Sequence, residues 1–254
     1  MTDSTPAPSN DSAPLGRRLF AEFLGAGLLV AVVVGSGIAA QRLSPDDVGL
    51  QLLQNSTATA FGLAVLILVL GPVSGAHFNP VVSLVDWHLG RRTGTGPTLS
   101  DTAAYVVAQC AGGVGGAVLA NVMFDAPTEF AGTDRVSAGH LVGEVTATAG
   151  LVLVIFALVR TQRLPLVAPA VGAYIGAAYW FTSSTSFANP AVTVGRMFSD
   201  TFAGIAPGSA PAFVVMQLLG AAIGLAAVLI LYPGTTRKAD ENAAAEPAVT
   251  SERM

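Results

Sequence analysis

Ser74-Gly75-Ala76-His77-Phe78-Asn79-Pro80-Val81-Val82-Ser83-Leu84 and Ser186-Phe187-Ala188-Asn189-Pro190-Ala191-Val192-Thr193-Val194 are the two stretches whose reading decides the fold. Asparagine is a favoured N-cap, and proline is favoured at the first helical position, where its missing N–H costs nothing. Each Asn-Pro pair therefore starts a helix. The residues ahead of them, Ser74-Gly75-Ala76-His77 and Ser183-Ser184-Thr185-Ser186, are mostly small and suit an extended loop. The helical patterns that follow, Asn79 to Leu89 and Asn189 to Phe198, cover only about half a bilayer. A lone Asn-Pro pair would read as an ordinary helix start in a surface loop. Two copies at equivalent places in a repeated chain read differently.

The surrounding chain has the composition of a membrane protein. Apolar residues make up 52% of the 254 and charged residues only 11%, against about 25% charge in ordinary soluble domains. Mean hydropathy is +0.62. Six segments reach the about 20 mostly apolar residues that a spanning helix needs: Leu19 to Gln41, Leu50 to Gly71, Ala103 to Phe124, Leu141 to Val159, Leu164 to Thr182, and Pro211 to Tyr232. Residues 1–15 are polar, lack the pattern of a secretory signal, and are predicted to be a disordered cytoplasmic extension. The tail, 236–254, reads the same way, which leaves 16–235 as the membrane unit.

Basic residues set the orientation. With the N-terminus inside, Arg17, Arg18, Arg91, Arg92, Arg160, Arg163, Arg237 and Lys238 are cytoplasmic, against Arg42, Arg135 and Arg196 on the other side. Both ends are therefore expected inside a multi-pass protein of a bacterial cytoplasmic membrane, with lipid as its surroundings. A net charge of −4 gives no basic footprint for nucleic acid. The single cysteine, Cys110, excludes disulfide frameworks and cysteine zinc sites. No constellation of nucleophile, base or metal ligands appears, so neither an enzyme, a cofactor nor a metal is expected.

Internal repetition fixes the topology. Ala21-Glu22-Phe23 is echoed by Gly143-Glu144-Val145, Phe78-Asn79-Pro80-Val81-Val82 by Ala188-Asn189-Pro190-Ala191-Val192, and Ala108-Gln109-Cys110-Ala111-Gly112 by Met216-Gln217-Leu218-Leu219-Gly220. The order Glu, Asn-Pro, Gln recurs in halves of about 16–124 and 139–235, each with three spans. An odd number of spans turns the second half upside down. Inverted repeats with broken helices belong to membrane transport. Irregular backbone at mid-membrane is tolerated only where it is buried or lines a cavity. The symmetry then points two helix N-termini at one place in the bilayer.

Each N-terminus carries about half a positive charge. A unit cation about 5 Å from both would feel roughly 3 kcal/mol of repulsion at an effective dielectric near 20. A neutral solute escapes that penalty. The two asparagine amides can also donate to a passing oxygen and interrupt a water chain that would carry protons.

SGAHFNPVVSL and SFANPAVTV resemble the two signature loops of the aquaporin, or major intrinsic protein, family, and Glu22, Glu144, Gln109 and Gln217 match its repeat pattern. The resemblance covers about residues 16–235. It implies an all-α fold of six transmembrane helices and two re-entrant half-helices, a homotetramer with one pore per subunit, and small neutral solutes as permeants. Asn79, Pro80 and Val81 would form one half of the pore centre and Asn189, Pro190 and Ala191 the other. Glu22 and Glu144 would accept hydrogen bonds from the loop backbones, with a proton relay as the alternative. His77 would stand beside the inner pore, where a structural hydrogen bond competes with a gating role. His88 and His140 read as interfacial residues.

Two family positions depart: Asn79-Pro80 is followed by Val81 rather than the commoner alanine, a change that should leave the cap intact, and the other lies in the filter. The residue after the second Asn-Pro-Ala is usually arginine, and here it is Val192. Counting from Asn189 gives Ser186 and Ala177 as further selectivity-filter positions. Counting from Asn79 gives Thr59 on the second span, or Phe61 if a two-residue gap is allowed. Thr59, Ala177, Ser186 and Val192 would make a wide, weakly polar constriction. Arg196, one turn beyond Val192, either reaches back over the mouth or pairs with Asp200. Members lacking the arginine resemble a bacterial branch associated with arsenic resistance, which implies arsenite or methylarsenicals and glycerol as solutes, besides water. A water-selective aquaporin, a coupled secondary transporter and a non-conducting structural member are the rival readings.

Overall fold

The computed structural model describes residues 13–91 and 94–233. The readings made for the terminal extensions therefore lie outside the described residues, except that Ala13 and Pro14 lead into the first helix and Leu15 begins it. Among the described residues there are helices and no strands.

Eight α-helices follow one another: α1 (Leu15–Leu43), α2 (Val48–Ser74), α3 (Pro80–Gly90), α4 (Leu99–Met123), α5 (Ala138–Arg160), α6 (Val167–Phe181), α7 (Pro190–Arg196) and α8 (Ala210–Leu231). Six of them, with α6 counted from its lead-in turn, are long and apolar enough to cross a membrane, matching the six expected spans. The fifth span enters through a 3-10 turn, Leu164–Leu166, with Pro165 in the first turn, where its missing N–H costs nothing. The half-helices are α3 and α7. The second is shorter than its pattern suggested. It stops at Arg196 because the chain turns out of helical hydrogen bonding, and the Met197 carbonyl instead accepts the N–H of Ala131.

The two repeats pack alike. Within the first, α1 lies against α2 and α4; within the second, α5 lies against α6 and α8. The half-helices bridge the repeats, α7 packing chiefly onto α4 and α3 onto both α4 and α8, while α2 and α6 join the halves. Helices in lipid gain little from hydrophobicity, so close approach of small residues drives the pairing. Gly112 and Gly116 of α4 press on the backbone of α1, where an added Cβ would strike the carbonyl oxygens of Phe23 and Gly27. Their counterparts Gly220 and Gly224 of α8 press on Val145 and Ala149 of α5. The inverted symmetry therefore holds down to individual backbone contacts.

Gly116→Leu should separate α1 from α4 and lower stability by at least about 1–3 kcal/mol, the usual cost of overpacking. Thermal melting of the purified protein in detergent checks this. An unchanged midpoint would mean the helices can part at that level without loss.

Candidate functional site

The tips of α3 and α7 meet inside the helix bundle. Asn79 caps α3, its Oδ1 accepting the Val81 N–H at 3.1 Å. Asn189 caps α7 and accepts from Ala191 at 2.9 Å and Val192 at 3.3 Å. Each amide nitrogen then crosses to the other repeat. Asn79 Nδ2 donates to the Ala188 carbonyl at 2.8 Å, and Asn189 Nδ2 donates to the Phe78 carbonyl at 2.8 Å. An amide nitrogen carries two hydrogens. Both asparagines border the central passage, so one hydrogen on each remains for an oxygen within it.

The loops ahead of the tips adopt backbone that few residues tolerate. Gly75, Ala76 and Phe78 have φ of 89°, 50° and 48°, and Thr185, Ser186 and Ala188 have 60°, 52° and 48°. Non-glycine residues there cost on the order of 1–3 kcal/mol each and persist only when the surroundings over-determine them. The surroundings are two buried carboxylates. Glu22 accepts from the backbone N–H of His77 (3.0 Å) and Phe78 (2.7 Å), from Ser74 Oγ (2.6 Å) and from Gln109 Nε2 (2.7 Å). Glu144 accepts from Phe187 and Ala188 N–H, both at 2.9 Å, and from Gln217 Nε2 at 2.7 Å. The glutamines extend the web to Ser83 (3.0 Å) and Thr193 (2.9 Å). The Thr193 hydroxyl donates to the Asn189 carbonyl, and the Ser83 hydroxyl has the Asn79 carbonyl within reach at 3.2 Å.

A passage runs past both tips, with a water-holding volume of about 80 Å³; one water needs roughly 10–15 Å³ on that measure. On the side away from the chain ends it is bordered by Thr59, Tyr179, Ser186, Phe187, Val192 and Arg196. Thr59 Oγ1 lies 3.2 Å from Tyr179 Oη. Ser186 Oγ is buried there with no hydrogen-bond partner.

Three expectations meet the geometry differently. Phe61, the gapped alternative to Thr59, is 71% exposed and faces away from the passage. Ala177 does not border the passage. It is exposed on the outer face of α6, whose inward residues Val171, Ile175 and Tyr179 recur at four-residue spacing. Two residues on a helix turn the side chain by about 200°, so a short miscount reverses the face. Tyr179 holds the wall assigned to Ala177. Arg196 does not pair with Asp200 either. Since α7 ends at Arg196, Asp200 is not one helical turn onward, and its Oδ1 accepts the Gly132 N–H at 2.9 Å. Arg196 instead donates through Nε to the Ala203 carbonyl and lies over the Phe187 ring, 3.5 Å from its centroid. Arg135, in the loop between α4 and α5, also lies over that ring at 5.4 Å and donates to Gly204 and Phe202 carbonyls at 2.7 and 3.0 Å. Burial pushes its pKa below the ordinary arginine value.

At the other end of the passage His77 Nδ1 sits 3.0 Å from Ser83 Oγ, and Nε2 sits 3.4 Å from Asp86 Oδ2. Sequence reasoning did not single out Tyr179 and Phe187, which border the passage, or Asp86, which meets His77 from outside it. Asp86 follows Ser83 by three residues, so helix periodicity alone puts both on the side of α3 that meets His77.

The family model for "Major intrinsic protein" matches residues 9–183. The chain belongs to the major intrinsic protein family. As a member it is an integral, multi-pass membrane channel and not an enzyme. A relative described as "Aquaglyceroporin AqpS" from Rhizobium meliloti (strain 1021) is 52% identical over 213 residues, covering 84% of this chain and 88% of its own. A "Probable aquaporin TIP-type" from Medicago truncatula is 33% identical, covering 69% and 72%. The X-ray structure of the aquaglyceroporin from Plasmodium falciparum superposes with a TM-score of 0.65 at 19% identity, over 90% of this chain and all of that one, which shows the fold.

Within this major intrinsic protein, Glu144→Ala leaves three buried donors without an acceptor. The expected loss is at least about 1–3 kcal/mol for the first orphaned donor alone. It should appear as a lower melting midpoint and a lower yield of monodisperse protein. Unchanged melting would mean that the loop does not depend on the carboxylate.

Proposed function

We propose that the protein is a passive channel of the aquaglyceroporin type, passing glycerol, uncharged metalloid acids such as arsenous acid or methylarsenicals, and water. Val192 carries this reading. Its side chain borders the passage directly after Asn189-Pro190-Ala191, where an arginine would bring five donors and a fixed charge. The Arg196 guanidinium is engaged by the Ala203 carbonyl and the Phe187 ring. The constriction thus pairs an apolar wall, Val192 and Phe187, with hydroxyls from Thr59, Tyr179 and Ser186. A polyol has the same two sides, C–H and O–H. The unpartnered Ser186 hydroxyl would gain a hydrogen bond from each passing solute.

Ion exclusion rests on the two helix tips, which together present about one positive charge to the passage. A water-selective pore is the second reading, favoured by Tyr179, which is bulkier than the alanine expected on that wall. A coupled transporter would show saturable, gradient-dependent uptake instead of linear flux. We further read the channel as one subunit of a homotetramer, each with its own passage, and both ends as cytoplasmic. Exposed apolar side chains such as Phe61, Leu68, Val107 and Ile230 would face neighbouring subunits or lipid.

Reconstituted vesicles test the substrate class. Glycerol and arsenite should enter well above the rate of empty vesicles, with linear dependence on concentration. Fast water flux with both larger solutes excluded would sink the proposal. Val192→Arg should lower glycerol and arsenite flux by roughly tenfold, equivalent to about 1.4 kcal/mol of barrier, while water flux falls less. Equal rates before and after would show that this position does not set the constriction.

A further inference from the structure

His77 borders three spaces at once. One is the central passage, another is an apolar vestibule walled by the ends of α2, α5 and α6, and the last is a polar chamber between α2 and the starts of α1 and α4. Its ring is therefore the partition where the passage opens on the side of the chain ends. Asp86 borders the vestibule and the chamber but not the central passage. Three groups hold the ring in that place. Ser83 Oγ is 3.0 Å from Nδ1, Asp86 Oδ2 is 3.4 Å from Nε2, and Tyr105 meets the ring edge-on with centroids 5.6 Å apart. All three lie on α3 or α4, on one side of the ring. Toward α5 and α6 the neighbours are apolar, Ile155 and Val167 among them, and offer the imidazole no hydrogen bond.

We propose that Asp86 is a positioning residue for permeation: by holding His77 Nε2 it keeps the imidazole docked on α3 and out of the path of polyol-sized solutes. This rests on the channel reading above and deepens it.

Hydrogen inventory supports the assignment. Ser83 has one hydroxyl hydrogen and two acceptors within reach, His77 Nδ1 and the Asn79 carbonyl at 3.2 Å. A carboxylate beside Nε2 keeps a hydrogen on that nitrogen. The neutral ring then presents Nδ1 as an acceptor, and the Ser83 hydroxyl turns to it. Without Asp86 the ring has no such bias. The hydroxyl can return to Asn79, and only the edge contact with Tyr105 and the Ser83 oxygen remain to anchor a side chain with open space on two sides. The second repeat shows the contrast. Phe187 stands where His77 would be, and the Thr193 hydroxyl serves the Asn189 carbonyl at 2.9 Å.

The test uses the full-length protein in vesicles, with flux normalised to incorporated protein. Wild-type glycerol flux is measured first, so failure of the channel reading is seen separately. Asp86→Ala should lower glycerol permeability by about threefold or more, in the range of coupling between contacting residues, and lower water permeability less. Asp86→Asn, whose Oδ1 still accepts from Nε2–H, should stay near wild type. In a His77→Ala background, Asp86→Ala should have no further effect. Should Asp86→Ala incorporate poorly, Asp86→Ser gives the same comparison. Unchanged glycerol flux in Asp86→Ala, an equal fall in Asp86→Asn, or the same fall without the His77 ring would each overturn the proposal.

Discussion

Backbone in the middle of a membrane has no water to turn to, and each unmet N–H or carbonyl there costs several kcal/mol. The loops before Asn79 and Asn189 exist only because Glu22 and Glu144 supply acceptors at that depth. A carboxylate accepts up to about four hydrogen bonds, more than any neutral side chain, and Glu22 uses all of that capacity. This explains why a residue so expensive to bury recurs in both repeats. It also explains how left-handed backbone at Ala76, Phe78, Ser186 and Ala188 is maintained. With the N–H groups turned back toward the carboxylates, consecutive left-handed residues line the passage with loop backbone and set each asparagine at the head of its helix.

From that arrangement the selectivity of the centre follows. The tips are fixed relative to one another by the reciprocal bonds from Asn79 to Ala188 and from Asn189 to Phe78. Neither can retreat without breaking a bond in the other repeat. Two helix dipoles are thus held pointing at one place, which they would avoid if free, and their repulsion becomes a permanent barrier to cations. The surrounding apolar wall, Leu29, Val33, Leu63 and Leu151, offers an ion nothing in return for its hydration shell.

The features legible in the sequence were those set by local chemistry. An Asn-Pro pair caps a helix wherever it occurs, and a run of about 20 apolar residues spans a bilayer on length alone. Repetition then supplied the inverted topology. Features set by distant contacts were not legible. The end of α7 depends on Ala131 and Ile205, which bond the carbonyls of Met197 and Arg196 from other parts of the chain, so the expected pairing with Asp200 had no helix to carry it. Ala177 was reached by counting twelve residues through a loop of unusual geometry, and such a count carries no information about helical phase. Thr59 was counted through the equivalent loop before Asn79 and does border the passage, so the same kind of count succeeded in one repeat and failed in the other. Asp86 went unnoticed because its partner His77 precedes it by nine residues across a loop, outside any helical spacing.

The repeats share a skeleton but spend the same position differently. Ahead of Asn79 stands an imidazole, able to bond on both edges, and ahead of Asn189 stands a phenyl ring that can only offer its face. At Phe187 that face collects two guanidinium groups, Arg196 at 3.5 Å and Arg135 at 5.4 Å. A cation held over an aromatic face is stabilised without losing its charge, so the far mouth stays electropositive although Val192 has none of the usual donors. The near mouth instead carries a carboxylate, Asp86, against His77. The repeats differ again seven residues after each asparagine, where Asp86 stands in one and Arg196 in the other. Ring and charge thus change together, an imidazole facing a carboxylate at one end and a phenyl facing a guanidinium at the other.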